Sequence, residues 1–236
     1  GLNNNGQLGV NDLVTRSTPI QIGTATNWKQ VSAGGVHGTA IKTDGTLWCW
    51  GNNSQGQLGV NNLVTRSTPV QEFTSSTNWK QVTGGGGFIA AIKTDGTLWA
   101  WGRNSEGQIG DNTGGLGISR STPRQEFTSS TNWKQVSGGS NHITAIKTNG
   151  TLWCWGSNGG GGQIGDNTIA SRSTPIQEFT SSTNWKQVSA GGYHTSAIKT
   201  DGTLWGWGYN GQGGIPNGFA VGDNTNAARS TPRQEF

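Results

Sequence analysis

Three histidines, His37, His142 and His194, follow Gly-rich turns at one recurring place in the chain. Histidine is the usual acid–base side chain near neutral pH and a common metal ligand. The second copy carries Phe88 at this place. A phenyl ring can neither accept a proton nor bind a metal, so the shared role is packing, with the imidazole hydrogen-bonded. No grouping of His and Cys has zinc spacing. Asp111-Asn112-Thr113, Asp166-Asn167-Thr168 and Asp223-Asn224-Thr225 could offer oxygens to calcium. Related loops at Asn11 and Asn61 lack this set, and Asx side chains readily bond their own backbone, so a turn role is expected. The glycine runs at 84–87 and 159–162 are not phosphate loops, because no Lys-Ser/Thr and no helix follows. Most of the 12 acidic residues recur in turns, and no catalytic pair stands out. An enzyme is the least expected reading, and no cofactor or metal is expected.

These residues sit in a unit that occurs four times. It opens at Trp28, Trp79, Trp133 and Trp185, with periods of 51, 54 and 52 residues. Such a period marks a solenoid, propeller or array. The units are 28–78, 79–132, 133–184 and 185–236, and residues 1–27 match the second half of one unit. In the second unit, Trp79-Lys80-Gln81-Val82 mixes apolar and polar residues and reads as a half-buried strand. Phe88 to Thr94 reads as a second strand. Asp95-Gly96 predicts a type I′ hairpin turn, leading into a third strand at Leu98 to Trp101. A long loop ends at Arg120-Ser121-Thr122-Pro123, and Pro123 to Glu126 reads as an outer fourth strand, where a missing N–H is tolerated. The expected fold is all-β: a β-propeller of four-stranded blades, four full units plus one half, with tryptophans between neighbouring blades.

Composition narrows the partners. The net charge is +4, but charged residues are only 12% of the 236, and the lysines recur singly in phase. Without a basic run interleaved with aromatics, nucleic acid is not an expected partner. No stretch is long and apolar enough to span a membrane. Cys49 and Cys154 occupy equivalent places two repeats apart, too far for a disulfide, and read as small core residues.

Gly-Gly-Tyr193-His194-Thr-Ser-Ala-Ile198-Lys-Thr-Asp-Gly-Thr-Leu204-Trp-Gly-Trp207-Gly, with Asn53-Ser-Gln-Gly-Gln-Leu-Gly59, resembles the repeat of the regulator of chromosome condensation family. The likeness recurs four times and covers the chain. It implies a propeller, typically seven-bladed, of which these units would be part. The founding eukaryotic member is a nucleotide-exchange factor for a small GTPase; other relatives are secreted or are bacterial and phage surface proteins. The sequence at 71–82 recurs unchanged at 125–136 and 177–188, which fits poorly with the blade-specific contacts an exchange factor needs. A bacterial or phage-type repeat is therefore expected.

The segment from the last hairpin Trp to the Ser of Ser-Thr-Pro runs 17, 20, 18 and 23 residues. Length variation gathered in one loop marks a binding face. Candidate partner-binding residues are Tyr209, Ile215, Pro216 and Phe219 in the longest loop, with Asp111, Asn112, Asp166, Asn167, Asp223 and Asn224. The expected function is a non-catalytic binding scaffold, secreted or surface-exposed, recognising a protein or glycan. Alternatives are a structural component of a virion or extracellular assembly, with self-association through open edges, and an exchange-factor-like regulator of a small GTPase.

Overall fold

The computed structural model describes residues 1–211, 221–223 and 225–235. It contains four four-stranded antiparallel sheets. The first blade has β1 (Trp28–Ala33), β2 (His37–Lys42), β3 (Leu47–Gly51) and β4 (Arg66–Gln71). The second has β5 (Trp79–Gly84), β6 (Phe88–Lys93), β7 (Leu98–Arg103) and β8 (Ser119–Gln125). The third has β9 (Trp133–Gly138), β10 (His142–Lys147), β11 (Leu152–Gly156) and β12 (Arg172–Gln177). The fourth has β13 (Trp185–Ala190), β14 (His194–Lys199), β15 (Leu204–Gly208) and β16 (Arg229–Gln234). Strands pair in chain order within each blade. All-β architecture with four blades matches the repeat reading.

Two local expectations are corrected. The Asp-Gly turn is not type I′, because Gly96 has φ +79° while Asp95 is absent from the left-handed region. Gly96 N bonds Lys93 O at 3.0 Å and Lys93 N bonds Thr97 O at 2.9 Å, so the loop is Thr94-Asp95-Gly96, a three-residue turn with Gly in the left-handed position. Asp95 Oδ1 instead accepts from Thr97 N and Oγ1 at 2.9 and 2.7 Å, which fixes the turn. The fourth strand also starts earlier than expected, at Ser119, and Pro123 lies in its irregular stretch, between the pairs Gly102↔Arg120 and Ala100↔Arg124.

The first strand is not a simple alternating strand. Trp79 pairs with Lys93 and Gln81 with Ile92, so Lys80 is the extra residue of a β-bulge. The bulge puts Trp79 and Val82, three residues apart, into one cluster with Ile41, Leu47 and Cys49 of the preceding blade. The same shift recurs at Lys29, Lys134 and Lys186.

The core lies between blades. Phe88, Ala90, Ile92, Leu98 and Ala100 of one blade meet Trp133, Val136, Ile143, Ala145 and Trp155 of the next. Trp79, Trp101, Trp133, Trp155, Trp185 and Trp207 are fully buried, each removing roughly 150–250 Å² from water. The first strands touch one another across blades and are innermost. Gln81 shows how: its side-chain amide donates to Val136 O and accepts from Val136 N, both at 3.1 Å. Gln30 does the same to Val82, and Gln135 to Val188. The edge of each inner strand is thus satisfied by a side chain of its neighbour. Beside it, Ser32, Thr83 and Ser137 hydroxyls accept from Gly84, Gly138 and Ala190 N.

Candidate functional site

Every loop between the third and fourth strands emerges at one end of the arc. The turns between first and second strands lie at the same end, since Asn52, Arg103, Ser157 and Tyr209 N bond Val36, Gly87, Asn141 and Tyr193 O at 2.8–3.0 Å. Length variation is therefore confined to one face.

Each long loop is pinned by one buried asparagine. Asn104 Oδ1 accepts from Ile109 N at 2.9 Å, and its Nδ2 reaches Thr113 O and Oγ1 and Asp111 Oδ1. Asn53, Asn158 and Asn210 repeat this, and all are fully buried. Asn53 and Asn104 stand in an Asn-x-x-Gly-Gln run, whereas glycine insertions blur the pattern after Asn158 and Asn210.

The acidic candidates sit around these pins. Asp111 Oδ1 accepts from the Thr113 hydroxyl and Oδ2 from Arg120 Nε at 2.9 Å. Asp166 pairs with Thr168 and Arg172, and Asp223 with Thr225 and Arg229. Burial would raise these three carboxyls, but their Thr and Arg partners hold them below the ordinary Asp value. Both oxygens of each carboxylate are thus engaged within the chain. Asn112 and Asn167 are exposed, at φ +61° and +64°, a conformation Asn tolerates. Their N–H groups donate to Ser173 and Ser230 O of the next blade.

Tyr209 is half-buried, its ring 6.5 Å from that of Tyr193, which is 51% exposed. Ile215, Pro216, Phe219 and Asn224 lie outside the described residues. Other apolar side chains surface from these loops: Leu63, Val64, Leu116 and Ile169 are more than half exposed. They fall outside the sequence candidates, whose apolar members come from the longest loop alone.

The histidines do not form a site. His142 is fully buried, with Nε2 3.1 Å from Thr195 Oγ1 of the next blade. Burial, helped by the neighbouring His194, pushes its pKa down to about 4. His37 is also driven to about 4 by burial; the Phe88 backbone opposes the shift but is not in hydrogen-bond geometry. A Cβ on Gly34, Gly85, Gly139 or Gly191 would fall within 2.4 Å of the His37, Phe88, His142 or His194 ring. The ring thus fills the space under a glycine. That packing explains why His and Phe exchange. Cys49 and Cys154 are buried free thiols, both raised by burial, Cys49 to about 12. Among the described residues, no three His, Cys, Asp or Glu side chains are grouped to hold a metal, and no helix is long and apolar enough to cross a membrane.

A family model described as the RCC1-like domain matches residues 1–235. The chain belongs to the RCC1-like domain family. RCC1-like domains act as non-catalytic regulators and scaffolds rather than as enzymes. The chain is 33% identical to the ultraviolet-B receptor UVR8 of Arabidopsis thaliana over 91% of its own length and 50% of that protein. It is 29% identical to the mitochondrial RCC1 domain-containing protein RUG3 of the same plant, over 75% of this chain and 41% of that one. The chain thus spans half or less of both proteins. The crystal structure of Prp20p from Saccharomyces cerevisiae superposes with a TM-score of 0.77 at 21% identity, covering 90% of this chain and 51% of that one. This likeness shows the RCC1-like propeller fold. The expected placement outside a cell or on a virion is overturned: these relatives are eukaryotic, one is mitochondrial by name, and they give no support to a bacterial or phage type.

Proposed function

We propose that this RCC1-like arc is a docking scaffold that presents its long-loop face to a folded protein partner, and that a small GTPase is the first partner class to test. The observation that carries the reading is the long-loop face itself. It joins loops of 17 to 23 residues, rigidly pinned by buried asparagines, with exposed Leu63, Val64, Leu116 and Ile169 at their surface. Rigid pins with variable, partly apolar tips are the arrangement of a recognition surface. The GTPase reading is supported by the family and by the likeness to Prp20p, whose structure was described with its binding to Gsp1p and histones. The candidates Tyr209, Asp111, Asn112, Asp166, Asn167 and Asp223 belong to this face, with the four candidates outside the described residues placed on it by sequence.

The arc is read as part of a larger, seven-bladed ring. Val31 is 70% exposed where its equivalents Val82, Val136 and Val188 are at most 3% exposed. Leu204 is 41% exposed where Leu47, Leu98 and Leu152 are fully covered. Both faces have the chemistry of a blade junction. The test is binding and fluorescent-GDP release with a Ran-type GTPase. Binding lost on replacing Leu63, Val64, Leu116 and Ile169 by Ser supports the reading. GTPase binding that survives those changes, or no binding at all, overturns it.

A further inference from the structure

The end of the arc opposite the long loops carries a second feature. In each blade the bulge on the innermost strand leaves one lysine outside the ladder: Lys29, Lys80, Lys134 and Lys186. All four are exposed. None forms an ion pair within 4 Å among the described residues, where every salt bridge uses an arginine. They differ from Lys42, Lys93, Lys147 and Lys199, whose ammonium groups sit 4.1–4.9 Å from the ring centres of two tryptophans each. One lysine of each blade is therefore spent inside the junction, and the other is left pointing out.

The bulge lysines are aligned by the junctions. The Gln81–Val136 bonds and their copies hold consecutive inner strands side by side. The lysine precedes that Gln in every blade, so the four cations follow one curved line along the inner edge. At this end Glu72, Glu126 and Glu178 are buried and accept from the Trp79, Trp133 and Trp185 indole N–H groups beside the lysines. The exposed acids there are the hairpin residues Asp44, Asp95 and Asp201. Each is committed to its own turn through Thr46, Thr97 or Thr203, and the third blade has Asn149 instead.

We propose that this line of bulge lysines is a docking surface for an acidic polypeptide segment. Bulges commonly re-aim a side chain toward a function. Lysine at all four places supplies compact, rotatable point charges that single carboxylates can meet without a fixed bidentate geometry. The neighbouring Trp79, Trp133 and Trp185 are 1% exposed, so these inner-strand rings offer no stacking platform for single-stranded nucleic acid. Charge complementarity therefore favours a chain of carboxylates. This surface is independent of the long-loop face and does not rest on the GTPase reading.

The probe is a fluorescein-labelled decaglutamate, with anisotropy read at low and at physiological ionic strength. The triple variant K80Q/K134Q/K186Q is compared with R103Q/R124Q/R233Q, which removes three exposed cations elsewhere. The lysine variant is expected to bind about tenfold more weakly while the arginine variant binds as the parent does. Unchanged melting of both variants shows that the exposed sites do not affect folding. Equal loss in both variants, or loss in neither, overturns the proposal. Tighter binding of an oligothymidylate of equal charge assigns the surface to nucleic acid and overturns it as well.

Discussion

The Gln81 side chain bonds both the N–H and the C=O of Val136, at 3.1 Å each, and so takes the place of a neighbouring strand. Glutamine is needed because it is both donor and acceptor in one planar group. Gln81→Glu removes the donor and places a carboxylate against Val136 O. It is expected to destabilise more than Gln81→Ala, which should cost about 1–2 kcal/mol. Urea denaturation of the two variants decides it; equal stability of both with the parent would remove the bond from the account of the junction.

Valine at this register separates covered from uncovered junctions. Val82 is 1% exposed and Val31 is 70% exposed. Val82→Asp should cost about 3 kcal/mol or more, since it buries an unpaired charge. In the 236-residue chain by itself, Val31→Asp should lie within about 0.5 kcal/mol of the parent. Thermal melting in the same buffer tests the contrast, and a matched loss at both positions would refute it.

His37 faces a mismatch. His142 bonds Thr195, whereas Ile89 stands at the matching place before His37, and neither His37 ring nitrogen has a partner. Phe88, with Ile143 in its cluster, shows the apolar pairing. His37→Phe is expected to stabilise by about 1 kcal/mol, relieving an unsatisfied buried group. A measured loss of stability would show that the imidazole has a role this packing does not supply.

The same histidines set an acid limit. Their folded pKa values, about 4 for His37 and His142, lie below the ordinary 6.5. The unfolded chain then binds more protons, so stability falls as pH drops from about 6.5 toward 4. The depressed carboxyls of Asp111, Asp166 and Asp223 add losses at still lower pH, as they are protonated. Urea midpoints across pH 4–7 should slope this way, with a shallower slope in His37→Phe. A flat profile in the parent would contradict the burial assigned to both rings.

Lys147 lies between Trp133 and Trp153, 4.7 and 4.2 Å from the ring centres, and donates to Ser130 Oγ at 3.0 Å. Lys147→Met keeps the apolar stem but loses the cation and the hydrogen bond. A loss of about 1–2 kcal/mol is expected, with a changed near-ultraviolet tryptophan spectrum. Full stability with an unchanged spectrum would make the contact incidental.

The blade was legible because each strand and turn repeats its own chemistry in phase. Two things were not. The Trp-Lys-Gln-Val run sets two polar residues between Trp79 and Val82, a break in strict alternation too short to tell a plain strand from a bulge at Lys80. Its cause is the neighbouring blade, which requires both side chains on one side. The Gln81–Val136 bond likewise joins strands 55 residues apart, a distance that local pattern does not cover. At the long-loop face, Asp and Thr were read as turn residues from their types, and the structure engages them within the chain. Asn104 had the clearest phase, yet its role as the buried pin depends on carbonyls that only the folded loop brings around it.

Because Gln30, Gln81 and Gln135 make the same bonds to Val82, Val136 and Val188, a nascent blade cannot tell its proper neighbour from the next one along. A slip by one whole repeat keeps the Gln–Val bonds and the tryptophan packing, and changes only pairs such as His142–Thr195 and Phe88–Ile143. Chain order and tether length must then prevent misassembly, so blades that dock as they leave the ribosome should assemble more faithfully than the full chain diluted from denaturant.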